Sequence, residues 1–188
     1  LPEGLQEIED YLFCNCDSLT SIVIPEGITT ISGAHAFSYC QALTSIYFPA
    51  SLESIYARWA FEVTAITEIH FSGTLSQWLN IDFIYNEDSV PMQQPCNLYI
   101  NGEKLTNLTI PEDVISLPRC AFQYVNLNSV TIPATVISVS ESAFYGSSVQ
   151  SVRMSDSVTS VGTNAFANCS NLDKVYFVGD QSKWSSIA

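Results

Sequence analysis

The sequence predicts a repeat solenoid, a stack of coils in which each coil buries its apolar face against its neighbours. Three observations predict this class: one segment recurs at a fixed spacing, its strands alternate apolar and polar residues, and a phenylalanine closes each copy. Residues 19–37 read LTSIVIPEGITTISGAHAF and residues 43–61 read LTSIYFPASLESIYARWAF, with weaker copies at 127–144 and 149–166. A fixed period of this size is typical of solenoids.

The phenylalanine that closes each copy, which we call the anchor phenylalanine, recurs in two trains. Its spacing is 24 residues in the first train and 22 in the second, at Phe13, Phe37, Phe61, Phe122, Phe144 and Phe166. Every anchor except Phe13 follows an alanine. Because closely stacked coils leave room for only a small side chain beside the ring, this pairing is expected at each level of a stack.

Upstream of each anchor, a short stretch alternates with period two, which predicts a half-buried parallel strand. β-Branched and aromatic residues favour a strand over a helix. One inward ladder is Ile22, Ile46, Ile69, Leu108, Val130, Val152 and Val175. The second inward ladder is Ile24, Phe48, Phe71, Ile110, Ile132, Met154 and Phe177. Proline ends four of these strands, and a second apolar pair such as Ile28 and Ile31 follows. The segment around each anchor is expected to form a short helical turn on the opposite side.

The array is itself duplicated, because FSGTLSQWLNI at 71–81 matches FVGDQSKWSSI at 177–187. We interpret this cassette, with Trp78 or Trp184 at its centre, as a terminator that folds over the last coil of a block. Residues 1–81 then form a first block, 82–97 a connector, and 98–188 a hairpin with the second block. Asn101–Gly102 between alternating apolar residues is a strong hairpin signal. We expect this hairpin to start the second block within one continuous solenoid.

With these features placed, the chain resembles the BspA-like leucine-rich repeat proteins, whose pattern is approximately LTSIxIPxSVTSIGxxAFxxC. Residues 19–40, 43–61 and 149–169 match it most closely, although Ser155 stands where a proline is expected and Val63–Thr64 where a cysteine is expected. The resemblance implies a right-handed, mostly β, horseshoe-like solenoid, with a parallel sheet on one face and short helical or irregular segments on the other. It also implies a secreted or surface protein of a host-associated microbe, with adhesion or binding to host proteins proposed for some members of the family.

Composition disfavours several classes of partner. Six Lys and Arg against 19 Asp and Glu give a net charge of −13, which disfavours nucleic acid and anionic membranes as partners. No apolar run approaches the roughly 20 residues that a membrane helix needs. The N-terminus LPEGLQEIEDYLF has no signal-peptide pattern and begins inside a repeat, so we expect a fragment of a longer protein or a mature, processed form.

The residues that carry reaction chemistry form no recognisable site. Cys16 and Cys40 should lie one coil apart, close enough for a disulfide, but we favour buried free thiols. Glu68, His70 and Ser45 should lie close together, yet nothing supplies an oxyanion hole. Glu87 and Asp88, with Asp82 nearby, match no calcium-binding loop, so a solvated loop is expected. We therefore expect no enzyme activity, no cofactor and no metal.

The outward positions of the strands are the best candidates for a binding surface, because stacking aligns them across coils. We call these positions the strand face. The candidate binding residues on it are Tyr47, His70, Thr109, Thr131, Arg153, Lys174 and Tyr176. A merely soluble sheet surface is the competing interpretation.

The sequence therefore favours a non-catalytic extracellular protein-binding or adhesion module that acts through the strand face, with a host matrix or cell-surface protein as the expected kind of partner. Carbohydrate binding is an alternative, suggested by Trp59, Trp78, Trp184 and nine tyrosines. A structural spacer for another domain is a third hypothesis. The sequence leaves the ligand and the oligomeric state open.

Overall fold

The alternating segments upstream of the anchors form short parallel strands, as predicted. The computed structural model describes residues 4–83 and 90–187, so Pro2, Glu87 and Asp88 lie outside the described residues. The chain divides into two compact units, Leu1–Lys104 and Leu105–Ala188. Each unit is a mostly β solenoid of stacked coils, and the only helices in the described ranges are two of four residues each.

The strands are two to five residues long. In the first unit they are β1 (Glu7–Ile8), β2 (Ser21–Val23), β3 (Thr30–Ile31), β4 (Ser45–Phe48), β5 (Ser54–Ile55), β6 (Glu68–Phe71), β7 (Asp82–Phe83), β8 (Asn97–Ile100) and β9 (Glu103–Lys104), with helix α1 (Leu75–Trp78). In the second unit they are β10 (Asn107–Thr109), β11 (Ser116–Leu117), β12 (Ser129–Ile132), β13 (Ser138–Val139), β14 (Ser151–Ser155), β15 (Ser160–Val161) and β16 (Lys174–Val178), with helix α2 (Gln181–Trp184).

The longer strands of each unit form one parallel sheet. The order is β2-β4-β6-β8 in the first unit and β10-β12-β14-β16 in the second. Ile46 pairs in register with Ile22 and Ile69, and Val152 pairs with Val130 and Val175, so the first predicted ladder is confirmed. Ladder residues inside the sheets, such as Ile46 and Val152, are buried, whereas Val175 on β16 is 47% exposed; the residues between the ladders face outward.

The second apolar pair of each coil builds a second parallel sheet, which the sequence did not predict. Its two-residue strands follow the order β1-β3-β5-β7 in the first unit and β11-β13-β15 in the second. Ile31 pairs with Ile8 and Ile55, and each of these three side chains is fully buried. The core of each unit therefore lies between two stacked sheets and the anchor segments.

The anchor segments are turns, and the expectation of a short helical turn is wrong. The residues two before and two after each anchor have positive φ, for example His35 (58°) and Tyr39 (61°) around Phe37. A right-handed helix cannot include such residues. Around Phe37 the N–H groups instead donate to the next coil: His35 N to the Arg58 carbonyl at 3.0 Å, Phe37 N to the Ala60 carbonyl at 2.8 Å and Tyr39 N to the Glu62 carbonyl at 2.8 Å. Backbone hydrogen bonds thus join adjacent coils on this third side, which we call the turn side.

The anchor rings stack through the middle of each unit. Phe37 lies between Phe13 and Phe61 with ring centroids 5.3 Å apart on both sides, and Phe144 lies between Phe122 and Phe166 at 5.2 and 5.0 Å. Full burial of one such ring is worth roughly 1.5–3 kcal/mol. Aromatic pairing adds about 0.5–1.5 kcal/mol. The recurring phenylalanine is therefore a main source of stability in both units.

The Asn101–Gly102 hairpin is present, but it extends the first unit. Strands β8 and β9 pair antiparallel, with φ of 49° at Asn101 and 82° at Gly102. Strand β8 pairs in parallel with β6, whereas the sequence placed this hairpin at the start of the second block. The hairpin joins the first unit because Leu98 and Ile100, the alternating apolar residues of β8, continue the ladders of that unit opposite Ile69 and Phe71.

The duplicated tryptophan cassette forms a capped four-residue helix in each unit. Thr74 and Gln77 make a capping box at the start of α1, and Asp180 accepts a hydrogen bond from Lys183 N at the start of α2. Trp78 is fully buried, whereas Trp184 is 48% exposed. The two cassettes are therefore alike in backbone but differ in burial.

Candidate binding surface

The strand face of the first unit carries a stack of three aromatic rings. Register places Tyr47 beside His70 and His70 beside Tyr99 on three consecutive strands of the sheet. The ring centroids are 4.2 and 4.3 Å apart, and the planes differ by 12° and 9°. Because the strands themselves are about 4.8 Å apart, these rings stand on the sheet with their faces covering one another.

A carboxylate lies at the side of this stack. The Glu68 carboxylate is 3.6 Å from His70 Nε2 and accepts a hydrogen bond from the Tyr99 hydroxyl at 3.4 Å. Desolvation, followed by the negative charge of Glu68, raises the pKa of Tyr99. His70 Nε2 is buried without a hydrogen-bond partner within the described residues. The stack therefore encloses this imidazole nitrogen, with the Glu68 carboxylate beside it.

A shallow groove of about 360 Å³ borders the stack. It is open to solvent and brings the aromatic rings together with the hairpin turn. Its lining residues are Tyr47, Phe48, His70, Phe71, Ser72, Asn101 and Gly102. The groove can receive an apolar side chain beside a polar rim.

The strand face of the second unit has a different chemistry. Thr109, Thr131, Arg153 and Tyr176 follow one another in register across four strands. Lys174 lies in the neighbouring row, opposite Ser151, and its ammonium is 3.4 Å from the Asp173 carboxylate. Among the residues that the structure describes, Arg153 forms no ion pair. This face therefore presents hydroxyl groups, one phenol and an available guanidinium.

The structure brings the seven candidate residues together in two groups, one per unit. Tyr47 and His70 are in contact in the first unit. In the second, Thr109, Thr131, Arg153 and Tyr176 share one row, and Lys174 lies in the next. Sequence reasoning missed Tyr99, the third ring of the stack. The signal was available in the alternation of Asn97–Ile100 before the Asn–Gly turn, which marks Tyr99 as an outward residue.

The groups that could support other chemistry are dispersed. All six cysteines are free thiols, and burial raises the pKa of Cys96 to about 12. Cys40 Sγ donates to the Phe13 carbonyl at 3.0 Å, and Cys169 Sγ to the Phe144 carbonyl at the same distance. Within residues 4–83 and 90–187, no three His, Cys, Asp or Glu residues are grouped so as to hold a metal ion. The same ranges contain no helix long and apolar enough to cross a membrane.

The stacked parallel sheets, recurring prolines and anchor rings define a leucine-rich repeat protein. The family model described as "BspA type Leucine rich repeat region (6 copies)" matches residues 1–88 and 95–187. The chain belongs to this family, which confirms the resemblance seen in the sequence.

Solved structures show the same fold. A leucine-rich repeat protein from Eubacterium ventriosum matches with 20% identity and a TM-score of 0.51 over 94% of this chain and 58% of that one. A leucine-rich repeat protein from T. pallidum (TpLRR) matches with 20% identity and a TM-score of 0.50, over 92% and 74% of the two chains. No curated protein matches the chain. The chain thus spans little more than half of the E. ventriosum protein, and at this identity the likeness concerns the fold.

Proposed function

We propose that this chain is a non-catalytic, protein-binding repeat module that acts through its strand face. The observation that carries the proposal is the contrast between uniform ladders and unlike outward residues. Inward positions repeat apolar residues from coil to coil, whereas the outward row of the first unit reads Val23, Tyr47, His70 and Tyr99. Folding alone does not require three aromatic rings in this outward row, which supports a role for them in recognition.

The composition of the strand face supports a protein partner. Tyrosine and arginine are the residue types that contribute most to protein interfaces. Tyr47 and Tyr176 are 37% and 52% exposed, and Arg153 is also exposed. The groove beside the stack adds a concave element that can receive a partner side chain.

The geometry supports carbohydrate binding less well. Sugar rings pack on the faces of aromatic side chains, but the stack of Tyr47, His70 and Tyr99 uses most of its ring faces internally. Trp78 is buried and has no accessible face. Trp59 and Trp184 remain partly exposed, so a glycan array is the direct test of this alternative.

We place this module outside the cell or at the surface of a host-associated microbe, with a host matrix or cell-surface protein as the ligand. Family membership supports this location, since BspA-like repeats are expected in surface proteins. A spacer that only holds another domain away from the surface is the competing function.

The test is binding of the immobilised 188-residue chain to purified matrix and cell-surface proteins. Single substitutions Tyr47→Ala, Arg153→Ala and Tyr176→Ala should each weaken a genuine interaction, by tenfold or more at the most central position. Ile115→Ala is the matched control, because Ile115 is 62% exposed but lies off the strand face. Binding that survives all three strand-face substitutions rejects this surface. Binding only to glycans favours the carbohydrate alternative, and no binding favours the spacer.

A further inference from the structure

We propose that the turn side of the first unit is a second docking surface, which binds an arginine-rich segment of a partner protein. Its centre is a second row of stacked rings, formed by Tyr11, His35 and Trp59. The centroids are 5.3 Å apart at both contacts, and the planes differ by 17° and 26°. We call this set the turn-side row. It lies apart from the strand face, so the two surfaces can be tested separately.

The row is held in place by hydrogen bonds. His35 Nδ1 is 3.1 Å from the Ser38 hydroxyl and 3.6 Å from the Glu62 carboxylate. The Ser38 hydroxyl in turn donates to the Trp59 carbonyl. The central imidazole is therefore fixed between the two outer rings, and the surface is organised before any partner arrives.

The backbone does not require aromatic residues in this row. Tyr11, His35 and Trp59 have φ of 59°, 58° and 54°, a left-handed conformation that disfavours bulky side chains. The second unit adopts the same conformation at the corresponding positions with smaller residues, Cys120, Ser142 and Asn164. Large residues retained in a costly conformation are more typical of functional surfaces than of structural ones.

The row is also exposed. Tyr11 is 59% and Trp59 39% exposed, and on the other flank of the anchors Tyr39 and Val63 are 40% and 47% exposed. A concentration of exposed apolar side chains along one side of a repeat unit marks an interaction site.

Charge identifies the kind of partner. Residues 1–104 carry 13 acidic and 2 basic side chains, a net charge of −11, whereas residues 105–188 carry 6 and 4, a net charge of −2. Glu62 lies at the row, and the Asp10 carboxylate accepts a hydrogen bond from Ala34 N at 2.7 Å, next to His35. An acidic surface with aromatic rings favours a cationic partner.

The chain already makes a contact of this kind at the Trp59 end of the row, which leaves the Tyr11 ring at the other end for a partner's guanidinium. The guanidinium of Arg58 lies over the Trp59 ring, 5.6 Å from its centroid. Guanidinium groups pack on aromatic faces more readily than ammonium groups do, which favours arginine over lysine in the partner.

The experiment titrates the 188-residue chain with an octa-arginine peptide at low and physiological salt. The double variant Tyr11→Asn/Trp59→Asn removes both outer rings, keeps the net charge, and introduces a residue suited to positive φ. We expect about fivefold weaker binding by this variant, the loss expected for one exposed cation–aromatic contact at Tyr11, because Arg58 already lies over the Trp59 ring. Ile115→Asn is the control for loss of an exposed apolar side chain elsewhere, and should bind as the parent does.

Nuclear magnetic resonance supplies a second measurement, because the chain has only two histidines and each lies in a different row. Binding at the turn-side row should shift the His35 ring signals and leave those of His70 unchanged. The proposal is overturned if the parent does not bind the peptide, if the double variant binds within twofold of the parent, or if only His70 shifts. Tyr47→Ala should not change peptide binding, so failure of this proposal and failure of the strand-face proposal are distinguishable.

Discussion

The two units share one coil design and differ in what they place on its outside. Both stack an anchor ring at each level, and both use left-handed residues at the same two positions around it. The first unit fills its outward positions with aromatic rings and carries a net charge of −11. The second uses mainly hydroxyl groups and is nearly neutral. Stability thus constrains the ladders and anchors, while the outward positions are free to diverge.

Both units also contain the tryptophan cassette, but its tryptophan is buried to different extents. Substituting this tryptophan gives the largest expected effect on the free energy of unfolding. Trp78 contacts Phe71 and Phe83, with centroids 5.6 and 5.8 Å away, and is fully buried. Trp184 contacts Phe177 at 5.3 Å and remains half exposed. We expect Trp78→Ala to lower the free energy of unfolding by about 3–5 kcal/mol. Trp184→Ala should cost only about 1–2 kcal/mol. Denaturant unfolding followed by circular dichroism measures both, and equal losses would show that the cassettes are equivalent.

The residues with positive φ allow two opposite substitutions, one in each unit, whose expected effects on stability are of intermediate size. Val63 and Asn168 occupy the same place two residues after an anchor, with φ of 55° and 57°. A β-branched residue in this conformation is strained, so Val63→Asn should stabilise the first unit by about 1 kcal/mol. Asn168→Val should destabilise the second by about 1–2 kcal/mol, partly because Asn168 Nδ2 also donates to the Tyr145 hydroxyl. Thermal unfolding of the two variants checks the signs. A loss of stability for Val63→Asn would mean that its side-chain contacts outweigh the strain.

The smallest effect concerns a carboxylate that joins three coils of the first unit. Glu26 accepts hydrogen bonds from Ala50 N at 3.0 Å, Ser51 N at 3.3 Å and the Ser72 hydroxyl at 2.9 Å. Burial alone would raise the pKa of Glu26, but these hydrogen bonds outweigh it and hold the pKa below its ordinary value. The second unit also has a glutamate at the corresponding place, Glu112 after Pro111, whereas Ala134 follows Pro133 as Ala50 follows Pro49.

A lowered folded-state pKa means that Glu26 stabilises the protein above its unfolded pKa, near 4.5, and that this stability is lost as the pH falls through the folded value. Glu26→Gln should therefore lose less stability than the parent between about pH 5 and pH 3. The difference should stay below about 1 kcal/mol because the group is exposed. Unfolding curves at several pH values measure it, and parallel pH profiles would contradict this role.

The sequence predicts the long sheets and the core well, because a period of two directly marks which residues face inward. Ile46 and Val152 could be placed in their ladders for this reason. The second sheet escaped prediction because two-residue strands such as Thr30–Ile31 are too short to show a period. The turn conformation escaped it because Tyr11, Trp59 and Val63 are residues that ordinarily avoid positive φ.

For the candidate surfaces, the sequence could predict only which residues face outward, because the period-two alternation of the strands shows this. The outward orientation of Tyr47, His70 and Arg153 follows from it. Tyr99 was missed because it joins the aromatic stack only if strand β8 pairs with strand β6. That pairing is a long-range contact, which the sequence alone does not show. The turn-side row was missed for the same kind of reason, since only the structure shows that Tyr11, His35 and Trp59 stack.

The hydrogen bonds between coils have a mechanical consequence. Within each unit, backbone bonds such as Phe37 N to Ala60 O and Phe144 N to Ala165 O join only neighbouring coils. A force applied through the chain ends would therefore break the hydrogen bonds of one coil boundary at a time, so the unit would unfold coil by coil. Each 22-residue coil would release about 75 Å of chain at roughly 3.4 Å per residue. Each unit would therefore lengthen in steps under load, and the coils that remain folded would keep their outward rows aligned.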